Sequence, residues 1–176
     1  IQQFAAGLQG LGMQPRTHAA LFADNSHRWF IADQGIMAAG GIDAVRSAQA
    51  ETEELRYIAE HSDSTILIVE NLKLWQRLSD RFQDLPMQFA VLLSDETVPE
   101  YTPFKMLNYS QLLEVGTQNT WQSVAVTPDS LATLIYTSGT TGKPKGVMIS
   151  HANLLHQITT LGAVVQPQPG DRVLGL

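Results

Sequence analysis

Cysteine is missing altogether from the 176 residues, which excludes disulfides, thiolate catalysis and cysteine-held metals and suits the cytoplasm. Positive charge is scarce: 11 Lys and Arg stand against 17 Asp and Glu, for a net charge of −6. With no basic cluster to offset that balance, a general nucleic-acid binder is not expected. No apolar run approaches the roughly 18 residues of a membrane span, so peripheral association is the membrane contact left open. Low-complexity tracts and internal repeats are absent too. What remains, 44% hydrophobic and 16% charged, is the composition of a globular chain within the size of one domain.

The apolar pattern alternates between two periods. Phe4, Leu8 and Leu11 recur at helical spacing, with Gly12 placed to stop the helix. His18 to Ala23 reads as a strand, and Asn25 or Ser26 can cap a helix that points Trp29, Phe30, Ile36 and Met37 toward a core. Short strands follow over Ile42 to Val45, Thr65 to Val69 and Gln88 to Leu93. Between them lie one helix led by Glu51, Glu53 and Glu54 and a second over Leu72 to Phe82. A repeat every 20 to 25 residues or so is that of βα units, so the fold class is α/β, a mainly parallel sheet with flanking helices. Ser94 to Leu107 reads as an irregular excursion, Asn108 to Val115 as a short helix closed by Gly116, and Gln118 to Thr127 as a connector. His151 to Val165 is an amphipathic helix with Leu154, Leu155, Ile158, Leu161 and Val165 on one side. The chain starts at Ile1 inside a helical pattern and stops at Leu176 as an apolar stretch begins, so an internal piece of a longer protein is expected.

The stretch Tyr136-Thr-Ser-Gly-Thr-Thr-Gly-Lys-Pro-Lys-Gly146 lies between two apolar runs, Leu131 to Tyr136 and Val147 to Ile149, which read as buried strands. It has no large side chain after Tyr136. Thr137, Ser138, Thr140 and Thr141 offer hydroxyls, and Gly139 and Gly142 permit positive φ and close approach of a ligand to the main chain. Successive N–H groups in such a turn form an anion nest, while Lys143 and Lys145 supply countercharge and Pro144 restrains the backbone between them. The loop is built to hold phosphate. It is not a Walker A loop, which needs glycine where Thr137 stands and Ser or Thr where Pro144 stands.

Tyr136 to Val147, with Ser150-His-Ala-Asn-Leu154 after it and Pro128-Asp-Ser-Leu-Ala132 before it, resembles the phosphate-binding signature of the adenylate-forming (AMP-binding) superfamily. That resemblance implies a two-step ligase. A carboxylate displaces pyrophosphate from ATP·Mg²⁺ to give an acyl-adenylate, and a thiol then takes the acyl group. Thr137, Ser138, Gly139, Thr140, Thr141, Gly142, Lys143, Lys145 and Gly146 would handle the β- and γ-phosphates. Ala23-Asp-Asn-Ser-His-Arg-Trp-Phe-Ile-Ala-Asp33, Gly40-Gly-Ile-Asp-Ala-Val-Arg46 and Glu53-Glu-Leu-Arg-Tyr-Ile58 resemble the early βαβ region of the long-chain fatty acyl branch. Asp43-Ala-Val-Arg46 departs from the Val-Pro-Leu type sequence of many acyl-CoA synthetases and is similar to acyl–acyl carrier protein synthetases, which leaves the acceptor as CoA or acyl carrier protein. The resemblance makes residues 1–176 an incomplete N-terminal adenylation domain. The catalytic lysine, the ribose-binding aspartate, the Mg²⁺-binding acid and most of the acyl pocket would lie elsewhere. An enzyme for amino or aryl acids and a catalytically dead nucleotide-binding homologue are the alternatives.

The five histidines show no ligand spacing: His151 and His156 point to different helix faces, and no metal site is expected. His151 reads as a helix cap, with a supporting role behind the loop open to it. Asp24, Asp33 and Asp43 sit near element ends, where carboxylates are ordinary. Lys73, Arg77 and Arg81, four apart, read as a solvated helix face.

Overall fold

A computed structural model describes residues 1–137, 142–166, 170 and 172. In chain order the elements are α1 (Gln2–Gly10), β1 (His18–Phe22), α2 (His27–Ala38), β2 (Ile42–Arg46), α3 (Thr52–His61), β3 (Ile66–Val69) and α4 (Leu72–Phe82). They continue with β4 (Phe89–Leu92), β5 (Lys105–Leu107), α5 (Tyr109–Gln118), β6 (Leu131–Thr137), β7 (Lys145–Ser150) and α6 (His151–Val165). The seven strands form one sheet in the order β5-β4-β3-β1-β2-β6-β7. All neighbours are parallel except β6 and β7, which form an antiparallel hairpin.

The strands of the middle read as continuous branched runs because both of their faces are covered. On one face, Phe22, Ala44, Leu67, Val69 and Leu92 pack beneath Leu55 and Ile58 of α3 and Leu78 and Phe82 of α4. On the other, Ala19, Leu21, Ile66, Ile68 and Val91 pack beneath Phe4 and Leu8 of α1, Ile36 of α2 and Leu112 of α5. Burying one such side chain is worth about 1.5–3 kcal/mol. The helices start where capping residues allow: Ser26, Asn71 and Asn108 each accept a backbone N–H of the first turn.

Several sequence expectations change. Lys105–Leu107, within the supposed excursion, is an edge strand paired with β4. Gly116 does not close α5; it lies inside the helix against α1, where a Cβ would sit 2.0 Å from the Gln3 carbonyl oxygen. Phe30 points away from the core and is 53% exposed. The hairpin strands are not both interior: Ile135 on β6 is exposed, and β7 is an edge strand among the described residues, with Val147 and Met148 open. The apolar side of α6 likewise packs on nothing described, and the helix has no buried residue. Its cap is Ser150 in a reciprocal box with Asn153, not His151, whose N–H instead donates to the Ser130 carbonyl. Lys73, Arg77 and Arg81 are exposed, as a solvated helix face requires; Arg77 also donates to the carbonyls of Ala48 and Ala50, and Arg81 pairs with Glu53. Among the described residues no helix is long and apolar enough to cross a membrane.

Candidate functional site

Thr137 ends β6 at the carboxyl edge of the parallel strands, where ligands of open α/β sheets bind. Across the hairpin it pairs with Lys145, and Tyr136 pairs with Gly146. Gly142 has φ of +152°, and a Cβ there would meet nothing within 4 Å, so its requirement is conformational rather than steric. Lys143 and Lys145 are both exposed. Ser138, Gly139, Thr140 and Thr141 lie outside the described residues.

The hairpin is braced at its root by α3, a connection that the sequence patterns do not reveal. Tyr136 is 3% exposed. Its ring lies over Gly146, where a Cβ would stand 3.0 Å from the phenol Cζ, so glycine is what lets the ring pack flat across the hairpin. The Tyr136 hydroxyl shares a hydrogen bond of 2.8 Å with His61 Nδ1. Burial pushes the Tyr136 phenol above its ordinary pKa, so it stays neutral in that bond. The Tyr136 carbonyl accepts from Arg46 Nη1 at 3.3 Å, and Arg46 Nε is itself paired with Glu54 at 2.7 Å. His61 stacks at 5.1 Å on Tyr57, one helical turn earlier, and the Lys143 ammonium stands 4.8 Å over the Tyr57 ring. Small Gly146 opposite large Tyr136 is the only clue to this brace in the sequence.

Beside the hairpin root, the carboxyl ends of β1, β2 and β6 surround a cleft of about 430 Å³. Asp24, Asn25, Trp29, Arg46, Ser47 and Tyr136 line it, and β2 reaches it through Val45 and Arg46. Asp24 accepts from Ser47 Oγ at 2.6 Å and Gln49 Nε2 at 3.0 Å, bonds that hold its carboxyl below the ordinary range and keep it ionised. Asp24 thus ties Ser47 and Gln49 into the cleft wall. Asp43, placed near an element end by sequence, is fully buried, and neither of its carboxylate oxygens is bonded among the described residues. Among the described residues no three His, Asp or Glu side chains converge as metal ligands. The described groups of the hairpin, the Thr137 hydroxyl and the Lys143 and Lys145 ammoniums, are donors of the kind that suit phosphate oxygens.

The whole of residues 1–176 matches the AMP-binding enzyme family. The chain belongs to that family. It is 38% identical over 191 aligned positions to the chloroplastic long-chain-fatty-acid–acyl-carrier-protein ligase AEE15 of Arabidopsis thaliana, covering 100% of this chain and 26% of that protein. To the long-chain-fatty-acid–CoA ligase ACSBG2 of Xenopus laevis it is 31% identical over 167 positions, 92% of this chain and 22% of that one. Its fold matches the crystal structure of a long-chain-fatty-acid–CoA ligase, FadD1 of Archaeoglobus fulgidus, with TM-score 0.79 at 21% identity, covering 97% of this chain and 32% of the other. The chain therefore spans about a quarter of the length of the curated relatives it matches. The α/β expectation and the superfamily resemblance both hold.

Proposed function

We propose that this AMP-binding chain is the nucleotide-gripping part of an ATP-dependent acyl-activating ligase. Residues 1–176 form an incomplete N-terminal adenylation domain, completed by further sequence and a small C-terminal domain. In the first step a carboxylate oxygen attacks the α-phosphorus of ATP. The bond to the β-phosphate oxygen breaks, and pyrophosphate leaves. Thr137, Ser138, Gly139, Thr140, Thr141, Gly142, Lys143, Lys145 and Gly146 hold the β- and γ-phosphates, with hydroxyls and N–H groups donating and the two lysines neutralising charge that grows on the leaving group. Mg²⁺ arrives with the nucleotide. In the second step a thiol, of CoA or of an acyl carrier protein, takes the acyl group and releases AMP. The acid is a long-chain fatty acid, as the names of the relatives support. The protein would work in the cytoplasm or against a membrane surface.

The observation that carries this reading is the position of the hairpin. Thr137 ends β6 at the carboxyl edge of the sheet beside a cleft of about 430 Å³, and the returning arm carries Gly142 at positive φ and two exposed lysines. In the full-length enzyme Lys145→Ala is expected to slow fatty-acid-dependent ATP–pyrophosphate exchange about tenfold or more, equivalent to about 1.4 kcal/mol of transition-state stabilisation. Gly142→Ala should act in the same direction through its backbone. Residues 1–176 alone should form no acyl-adenylate. Exchange at the wild-type rate in both variants would remove the hairpin from the chemistry, and exchange driven only by an aryl or amino acid would replace the substrate class.

A further inference from the structure

Taking the hairpin as a phosphate grip, we propose that Tyr57 is a positioning residue for that grip, its ring holding the Lys143 ammonium where the nucleotide's terminal phosphates arrive. A lysine on an exposed turn has a four-carbon stem with large rotamer freedom, and an anion must suppress that freedom before it gains the charge. Here the ammonium is already placed, 4.8 Å from the centre of the Tyr57 ring. The ring face takes one side of the ammonium and leaves its other N–H donors free for phosphate oxygens.

The ring itself is fixed from behind. Tyr57 and His61 are neighbours at i and i+4 on α3, with rings 5.1 Å apart and tilted by 35°. His61 is held by its bond to the Tyr136 hydroxyl and by an edge contact with the Tyr136 ring at 5.9 Å and 87°. Tyr136 is buried in the core at the root of the hairpin that carries Lys143. The chain of contacts therefore begins and ends on that hairpin, passing through the last turns of α3. Tyr57 is half-buried, packed against the core cluster on one side and facing Lys143 with its ring, so the ammonium rests on a fixed surface.

The test is a double-mutant cycle in the full-length enzyme, reading KM for ATP and kcat in fatty-acid-dependent ATP–pyrophosphate exchange. Tyr57→Leu is expected to raise KM for ATP about two- to fivefold, the range of an exposed cation–ring contact, and to lower kcat by no more than Lys143→Ala does. Tyr57→Met, which keeps the bulk without the ring, should do the same, and Tyr57→Phe should restore the wild-type value. On a Lys143→Ala background, Tyr57→Leu should add nothing. An equal KM rise on both backgrounds, or a Phe variant as poor as the Leu variant, overturns the proposal. If Lys143→Ala impairs exchange while Tyr57→Leu does not, the positioning role fails and the phosphate reading stands. If Lys143→Ala is itself silent, the role assigned to that lysine fails and takes Tyr57 with it.

Discussion

Gly116→Ala is expected to destabilise the protein by about 3 kcal/mol, the upper part of the usual range for overpacking. The added carbon would stand 2.0 Å from the carbonyl oxygen of Gln3, 2.9 Å from its carbon and 3.1 Å from the Gly7 nitrogen. All three are backbone atoms, so no side chain can rotate away; α1 and α5 must separate. That separation would open the packing of Phe4 and Leu8 against Leu112 on the covered face of β3 and β4. Gly10→Ala on the same helix pair is the control. There the nearest atom is Asn119 Nδ2 at 2.7 Å, the tip of a flexible side chain, and alanine is the better helix former. The Gly10 variant should lie within about 1 kcal/mol of wild type. Guanidinium unfolding followed by far-ultraviolet circular dichroism separates the two. Equal midpoints for Gly116→Ala and wild type would mean that the helices are not in the close contact described.

The same glycine marks the boundary of what the sequence discloses. Its position after Val115 fits a helix stop as well as a helix contact, because local pattern carries no information about a partner more than 100 residues away. Alternation of branched runs and helical stripes is enough for β1 to β4 and α1 to α4, since each of those strands is covered on both faces and each stripe meets the sheet. Lys105–Leu107 escapes notice because an edge strand of three residues needs little apolar sequence. The hairpin proposed to grip phosphate stands out by its own residues, which combine glycines, hydroxyls and lysines. Its brace does not. Arg46 on β2 and Glu54, Tyr57 and His61 on α3 meet Tyr136 and Lys143, some 75 to 90 residues later, only through the fold. Phe30 reads as core from sequence and is not, and the apolar side of α6 meets no cover among the described residues, because hydrophobicity alone does not state which surface covers it.

Asp43→Asn is expected to stabilise the protein at neutral pH by about 1–3 kcal/mol, the cost of a buried polar group left without a partner. Asp43 lies in the middle of the sheet, on β2 between Ala19 of β1 and Thr133 of β6, and is fully buried. Neither of its carboxylate oxygens meets a donor among the described residues. Burial raises its pKa well above the ordinary carboxylate value, and the nearby Asp33 carboxyl on α2 raises it further by repulsion. Burial favours the protonated Asp43 carboxyl, so the folded protein retains a proton that the unfolded chain releases. The sign follows. Between the unfolded value near 4 and the raised folded value, the native state binds more protons, and stability falls as pH rises. The amide introduced by Asp43→Asn keeps the shape, supplies a permanent donor toward Asp33 and removes that slope. Urea unfolding from pH 4 to pH 8 should therefore give curves for the two proteins that nearly meet at the acid end and diverge as pH climbs, with the variant above. Asp33→Asn, which removes the charge that adds to the shift of Asp43, should recover part of the same gain, and the double variant less than the sum. Parallel curves for wild type and Asp43→Asn, or a variant less stable at pH 7, would mean that Asp43 is ionised and satisfied within the fold.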